Sequence, residues 1–533
     1  VKRTWVLISL LVGILLALAL VALAGSAPGL QSGSAVPGAV EVWVTAGEGS
    51  ERLHRRSDVR WETGAGDDVR RIQVDNALVF QPLAGVGAAL TDASAWVISN
   101  TLEPTRTHLL NELFSPAQGI GLSYLRLPMG ASDFTPPEEV TGWPVLYTYA
   151  DDGSFSVARD DAAHYNRIPL LDQAQAINPQ LRWMASPWTA PAWMKDSGSP
   201  FGGSLRTEYY SAYAAYFVRY TLAYQAEGLP PHAVTVQNEP LHESDRLPSM
   251  RMSPGEQAVF VRDHLGPAFV EAGIDVEILI HDHNWDRYDV PLAILGDAAA
   301  RSYIAGTAWH CYSGTVSAQS IVHDAYPEVG AYLTECTGHY AHGAGQGPDD
   351  HFAGDLVWEV QNLVIGATRN EAETVLMWNL ALDPQGGPHL PGACGESEGV
   401  RCRGLVTVDA SGTVARHAEY YALGHLSKFV QPGALRIASS HLTGTVESVA
   451  FRNTDRSIAL LVVNPQGDPH SFDVIWGGSY FSYTLPGRSV ATFKWPPVHR
   501  AHLPLVLSRL VSRLSAGAAP GQGIPAQSSE IRP

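Results

Sequence analysis

The sequence predicts an α/β protein, a (β/α)8 TIM barrel with an attached all-β, sandwich-like domain formed from both chain ends. Three observations lead there. From about residue 83 to 430, eight short apolar runs alternate with longer segments of helical periodicity, the pattern of strands joined by crossover helices. No Gly-rich phosphate loop follows any of these runs, and the G-x-G at Gly85 and Gly87 is too short to argue for an open nucleotide-binding sheet. Beyond residue 436 the texture changes to short alternating strands separated by turns.

The elements follow in chain order. Lys2 and Arg3 precede a charge-free apolar run from Trp5 to Ala24, with small residues at Ala22 and Ala24. Residues 1–24 therefore read as a signal peptide or an N-terminal anchor of about membrane-spanning length. Either reading exports the body, as a secreted protein or a membrane-tethered one held outside the cytoplasm. Residues 25–39 are a small-residue linker. Residues 40–82 carry two strand patterns, "EVWVTA" and "DVRRIQVD", expected to pair with the C-terminal module as the N-terminal part of the β domain.

The barrel, residues 83–430, is read from "LAGVGAAL", "LSYLRLP", "LRWMASP", "AVTVQNE", "VEILIHD", "GTAWHCY", "GAYLTE" and "TVLMWNL". Helical patterns fall between them, as at 208–226, 254–272 and 352–368. Residues 431–495 form the C-terminal β-sandwich domain, with strands such as "SIALLVVN" and "SVATFKW". In the tail, 496–533, Leu503, Leu507, Leu510, Val511 and Leu514 share one helical face beside Arg509 and Arg513. That segment reads as a membrane-surface helix, a docked segment or a disordered one.

Composition narrows the function. Apolar residues make up 45% of the chain and charged ones 17%, enough for a full core. The net charge of −18 argues against nucleic acid or an anionic membrane as a general partner. Fourteen Trp and twenty Tyr suit either a sugar-lined cleft or an aromatic core. Export permits disulfides. Cys394 and Cys402 are the natural pair and Cys311 with Cys336 is a second, although four cysteines allow three connectivities. No C-x-x-C spacing suggests zinc.

In such a barrel chemistry sits at the C-terminal ends of the strands. Those ends carry Asp92, Arg126, Trp188, Asn238 with Glu239, His281-Asp282-His283, His310 with Tyr312, Glu335, and Trp378 with Asn379. Glu239, on strand four, would face Glu335, on strand seven, across the mouth. A retaining glycosidase needs such a pair, one protonated and one ionised, ~5–5.5 Å apart rather than the ~6.5–9.5 Å that admits a water. Each residue also has a plainer reading. Glu239 or Glu335 alone is a loop acid, Asp92 a helix cap, and His310 a satisfied core histidine. Arg126 reads equally as a structural ion-pair partner and as a substrate contact. His281, Asp282 and His283 look like metal ligands, but neighbours on a strand point to opposite faces, so no metal is expected.

Eight segments in one order carry a resemblance: "GVGAALTDASAW", "LSYLRLPMGASDFT", "ASPWTAPAWMK", "AVTVQNEP", "AWHCYSG", "YLTECTG", "MWNLALDPQGGP" and "YYALGHLSKFV". The chain resembles glycoside hydrolase family 30, which includes acid β-glucosylceramidase, over about residues 40–495. The resemblance implies retaining hydrolysis of β-D-glucosides without a cofactor or metal. It implies Glu239 as acid/base, Glu335 as nucleophile, and Asn238 as the partner of the sugar 2-hydroxyl. Tyr312 would orient the nucleophile, Asp92 and Trp188 would hold the outer hydroxyls, and Trp378 would floor the ring. His310, Asn379 and Arg126 complete the substrate-binding or supporting set. The implied substrate is a β-glucoside, a glucosylated lipid or an oligosaccharide. A β-1,6-glucanase, a β-xylosidase and a non-catalytic sugar-binding protein are the rivals. Val86, Cys311 and the insert at 389–404 depart from the family pattern, which leaves the leaving-group side least defined.

Overall fold

The computed structural model describes residues 38–143, 145–340, 351–394 and 401–497. The N-terminal apolar run, most of the linker and nearly all of the C-terminal tail lie outside the described residues, as does the middle of the 389–404 insert.

Eight parallel strands close into a barrel. They are β1 Gly85–Ala89, β2 Tyr124–Pro128, β3 Arg182–Ser186, β4 Ala233–Thr235, β5 Glu277–Asn284, β6 Ile304–His310, β7 Gly330–Glu335 and β8 Ala372–Met377. Strand β8 pairs with β1, Thr374 opposite Gly85, which completes the ring. Gly87 is required there: a Cβ would lie 1.8 Å from the Tyr124 carbonyl oxygen. The barrel is filled. Tyr124, Met184, Ala233, Leu279, Ala308, Tyr332 and Leu376, one from each of β2 to β8, form a buried cluster with Ala84. Large and small side chains from successive strands interlock, so the ligand site can only lie above this layer.

The helical patterns appear where the periodicity places them, with one refinement. The 254–272 helix runs α, then π at Val261–Leu265, then α again. The 352–368 helix turns π at Val360–Ala367.

The β domain uses both chain ends. Strand Val40–Thr45 lies between His54–Val59 and the last strand, Ser489–Trp495. The long strand Arg71–Pro82 pairs with Leu435–Ser439 at one end and His470–Trp476 at the other, joining the two halves. Between them Trp61 packs on Trp476, Phe481 and Trp495 at 5.0–5.8 Å between ring centroids. Large aromatic faces leaving water supply the main stabilisation of such a core.

Candidate active site

The two glutamates reach the barrel mouth by different routes. Glu335 is the last residue of β7. Strand β4 stops at Thr235, and the chain continues in single steps. Val236 N–H donates to Leu279 O (3.1 Å), Asn238 N–H to Pro187 O (2.8 Å) and Glu239 N–H to Asp282 O (3.0 Å). Glu239 itself has φ +43°, directly before Pro240. A non-glycine residue in the left-handed region costs about 1–2 kcal/mol, and the neighbouring backbone bonds hold it there. The turn re-aims the carboxylate into the mouth.

Arg126, on β2, is the hub beneath them. It is fully buried. Nη1 donates to Glu335 Oε2 (2.6 Å), and Nη2 to Asn238 Oδ1 (2.7 Å) and Asp282 Oδ2 (2.8 Å). The Tyr312 hydroxyl donates to the other Glu335 oxygen at 2.9 Å. Because Asn238 Oδ1 accepts from Arg126, its amide nitrogen faces away from the hub, towards the pocket that Asn238 helps to line. Arg126 thus acts as ion-pair partner and organiser from behind the site.

Asp282 breaks the alternation expected of a strand. On β5, His281 and Asp282 have φ +76° and +47°, and the register with β6 skips Asp282, so that Ala308 faces His281 and Trp309 faces His283. This is a β-bulge, which bends the strand and re-aims side chains. Asp282 turns inward to accept from Ser186, Thr235 and Thr334 hydroxyls at 2.7–2.8 Å. His283, next in sequence, also reaches the mouth, 3.7 Å from Glu239 Oε1. Neighbours excluded from one site by strict alternation therefore meet there.

His310 bridges the two levels. Nε2 lies 3.0 Å from Asp282 Oδ1, and Nδ1 lies 3.2 Å from Glu239 Oε1 and 3.9 Å from Glu335 Oε1. Burial pushes the His310 pKa down, but the Glu335 charge and the bonds to Asp282 and Glu239 outweigh it and raise it to about 10. Burial likewise pushes Glu239 up, and the His310 bond and charge win, lowering it to about 2. Asp282 is held well below the usual carboxylate range: burial opposes ionisation, and Arg126 and His310 overcome it. At neutral pH two cations, Arg126 and His310, therefore face the Asp282 and Glu239 carboxylates. His310 is no bland core histidine.

A pocket above this network is lined by Asp133, Trp188, Asn238, Glu239, His242 and Glu335, among others. Trp188 stacks on Trp378 with centroids 5.2 Å apart and planes at 22°. The Arg126 guanidinium lies 4.9 Å from the Trp188 ring and 5.5 Å from the Trp378 ring. Asp133 was missed in the sequence. It follows β2 in the loop "LPMGASDFT", and its Oδ1 is buried without a hydrogen bond. Burial, then the Glu335 and Glu239 charges, raise its pKa to about 8. A protonated carboxyl can both donate to and accept from a sugar hydroxyl.

Two expected substrate contacts are corrected. Asp92 is fully buried. It accepts from Thr135 (2.7 Å) and Tyr147 (3.1 Å) and lies 3.3 Å from Arg167 Nε, while Arg167 also donates to Pro128 O. Asp92 therefore braces the loop that carries Asp133 and does not line the pocket. Nor does it cap its helix; Thr91 Oγ1 does, accepting from Ser94 N–H at 3.0 Å. Asn379 is also fully buried, with φ +65°, and accepts from Thr91 Oγ1 at 2.8 Å. It shapes the turn behind Trp378. Both cysteine pairs are bonded, Cys311 to Cys336 and Cys394 to Cys402.

Comparison with known proteins places this arrangement. Residues 83–430 match the glycosyl hydrolase family 30 TIM-barrel domain, and residues 433–493 match that family's beta sandwich domain. An endo-1,6-beta-D-glucanase of Aspergillus fumigatus is 33% identical over 78% of this chain and 85% of its own. The lysosomal acid glucosylceramidase of Mus musculus is 30% identical over 78% of this chain and 81% of its own. Among solved structures, an endo-beta1,6-glucanase superposes with TM-score 0.77 at 32% identity, over 86% of this chain and 100% of that one. A fold, a paired-glutamate mouth and matches along both domains lead to one assignment: the chain is a glycoside hydrolase and belongs to glycoside hydrolase family 30.

Proposed function

We propose that the protein hydrolyses β-1,6-linked glucan with retention of configuration, Glu335 acting as nucleophile and Glu239 as acid/base. One observation carries the mechanism: His310 Nδ1 contacts both Glu239 Oε1 and Glu335 Oε1. One nitrogen within reach of both puts the oxygens within about 7 Å at most, which accommodates the ~5–5.5 Å of direct attack.

Each group has a physical task. Arg126 and Tyr312 each donate to one oxygen of Glu335, aiming its carboxyl group at the anomeric carbon. As the glycosidic bond breaks, the leaving oxygen takes a proton from Glu239 and the sugar is held as an ester on Glu335. Glu239, now a base, removes a proton from water, and the ester is hydrolysed. In the free site that first proton resides on His310, one hydrogen bond from Glu239. Forming the ester removes the Glu335 charge, and with it a principal cause of the raised His310 pKa. The Asn238 amide meets the 2-hydroxyl, where a hydrogen bond strengthens in the oxocarbenium-like transition state. Asp133 and Trp188 meet the outer hydroxyls, and Trp378 backs the ring.

The linkage is supported by the endo-1,6-glucanase relatives, which match at 31–33% identity. Both disulfides support a site of action outside the cytoplasm. A substrate panel tests the proposal: β-1,6-glucan, glucosylceramide, β-xylan and an aryl β-glucoside. Fastest turnover of β-1,6-glucan to short oligosaccharides is expected. Preference for glucosylceramide would overturn the linkage but leave the two-glutamate mechanism standing.

A further inference from the structure

We propose that Glu239, His283 and His310 form a binding site for a borderline divalent cation, zinc, whose occupancy blocks the enzyme. Glu239 follows β4, His283 lies on β5 and His310 ends β6, and the β5 bulge turns His283 towards the other two. Each offers one ligand atom, and these atoms all lie within 4.8 Å of one another. Glu239 Oε1 is 3.2 Å from His310 Nδ1 and 3.7 Å from His283 Nδ1. Ligands held ~2.0–2.2 Å from a tetrahedral zinc stand about 3.3–3.6 Å apart. Small side-chain shifts therefore suffice to close the set.

Two further observations point to an ion. First, His283 Nδ1 is buried and has no hydrogen bond, although it faces a carboxylate oxygen. A buried nitrogen left without a hydrogen bond carries a desolvation cost that a bound cation would relieve. Second, Asp282 Oδ1 lies 3.0 Å from the far nitrogen of His310. A carboxylate behind a histidine fixes the ring and its tautomer and strengthens its other nitrogen as a ligand. Asp282 is itself held by Arg126, Ser186, Thr235 and Thr334, so this outer support is rigid.

Two imidazoles and one carboxylate favour zinc over magnesium or calcium, which prefer all-oxygen sets. Of the three, Glu239 also lines the pocket. A bound ion takes the place of the proton between His310 and Glu239. It ties up the carboxylate oxygen that must protonate the leaving group, so the block rests on Glu239 as acid/base, whereas the ion site does not. Zinc here is an inhibitor and not part of the reaction.

Equilibrium dialysis of the full chain against Zn2+, and the visible absorption of Co2+ as a spectroscopic stand-in, test the site directly. Wild type is expected to bind one ion more than His283→Asn or His283→Gln, with tetrahedral-type Co2+ bands that both variants lose. Zn2+ is expected to suppress hydrolysis of an alkyl β-glucoside, while Mg2+ does not. Losing a ligand should raise the half-inhibitory Zn2+ concentration at least ~100-fold, the upper range for losing even an outer-shell partner. Each rate is compared with the same protein free of zinc. A wild type that binds no ion, or that matches both variants in ion count and Co2+ spectrum, overturns the proposal without touching the glycosidase reading. Zinc bound at this site with undiminished alkyl glucoside turnover would support the ion site and overturn Glu239 as proton donor.

Discussion

Replacing His310 with glutamine removes a buried cation from between Asp282 and Glu239. The wild-type imidazole is fully enclosed and holds its proton up to about pH 10, whereas an unfolded histidine releases it near ~6.5. The sign follows from linkage. A pKa raised in the folded state contributes stability that is fully present below ~6.5 and is lost as pH climbs through the folded value. At about 1.36 kcal/mol for each pH interval, the window from ~6.5 to about 10 corresponds to roughly 4–5 kcal/mol. The lowered Glu239 pKa reports the same contact and is not added. Urea unfolding midpoints of wild type and His310→Gln, measured at about pH 6, 8 and 10, read this contribution. Wild type is expected to lose stability across that window by on the order of 4 kcal/mol more than the variant. Parallel curves for the two proteins would refute an imidazolium between the carboxylates.

Other outcomes follow from the same geometry. Glu239→Ala should slow alkyl glucosides and β-1,6-glucan by about 100-fold or more while largely sparing aryl glucosides with good leaving groups, which need no proton. Azide should rescue that variant as a β-glycosyl azide, and an α product would remove the retaining assignment. Arg167→Gln leaves Asp92 and Asp160 buried without their cation and should cost about 3–5 kcal/mol in an unfolding titration. Asp92→Asn should leave the ranking of substrates unchanged, because its side chain does not reach the pocket; a switched sugar preference would restore it as a contact.

Much of the fold was legible because alternation and helical periodicity are local. Strands such as "AVTVQNE" and "GAYLTE" ended where the structure puts the mouth, and the acids at those two ends marked Glu239 and Glu335. The errors came where chemistry depends on backbone geometry rather than residue order. Asp92 ends strand one in sequence, yet it starts a helix and turns to Arg167. Asp133 sits in a loop whose path no periodicity reports. The β5 bulge needs two consecutive non-glycine residues with positive φ, which no sequence pattern announces. It overturns the face alternation that kept His283 from the site. Arg126 had two readings because an arginine at a strand end can point inward or up, and the surrounding Asp282, Asn238 and Glu335 decide between them.

The roles of the two glutamates can be read from one trapped intermediate. A 2-deoxy-2-fluoro-β-glucoside with a good leaving group slows ester hydrolysis, so the sugar accumulates on the nucleophile. Mass spectrometry of the digested protein should find one fluoroglucosyl group on the peptide containing "YLTECTG", at Glu335. A label on Glu239 or on any other residue, or turnover of natural substrate with inversion and no label, would contradict the double-displacement account.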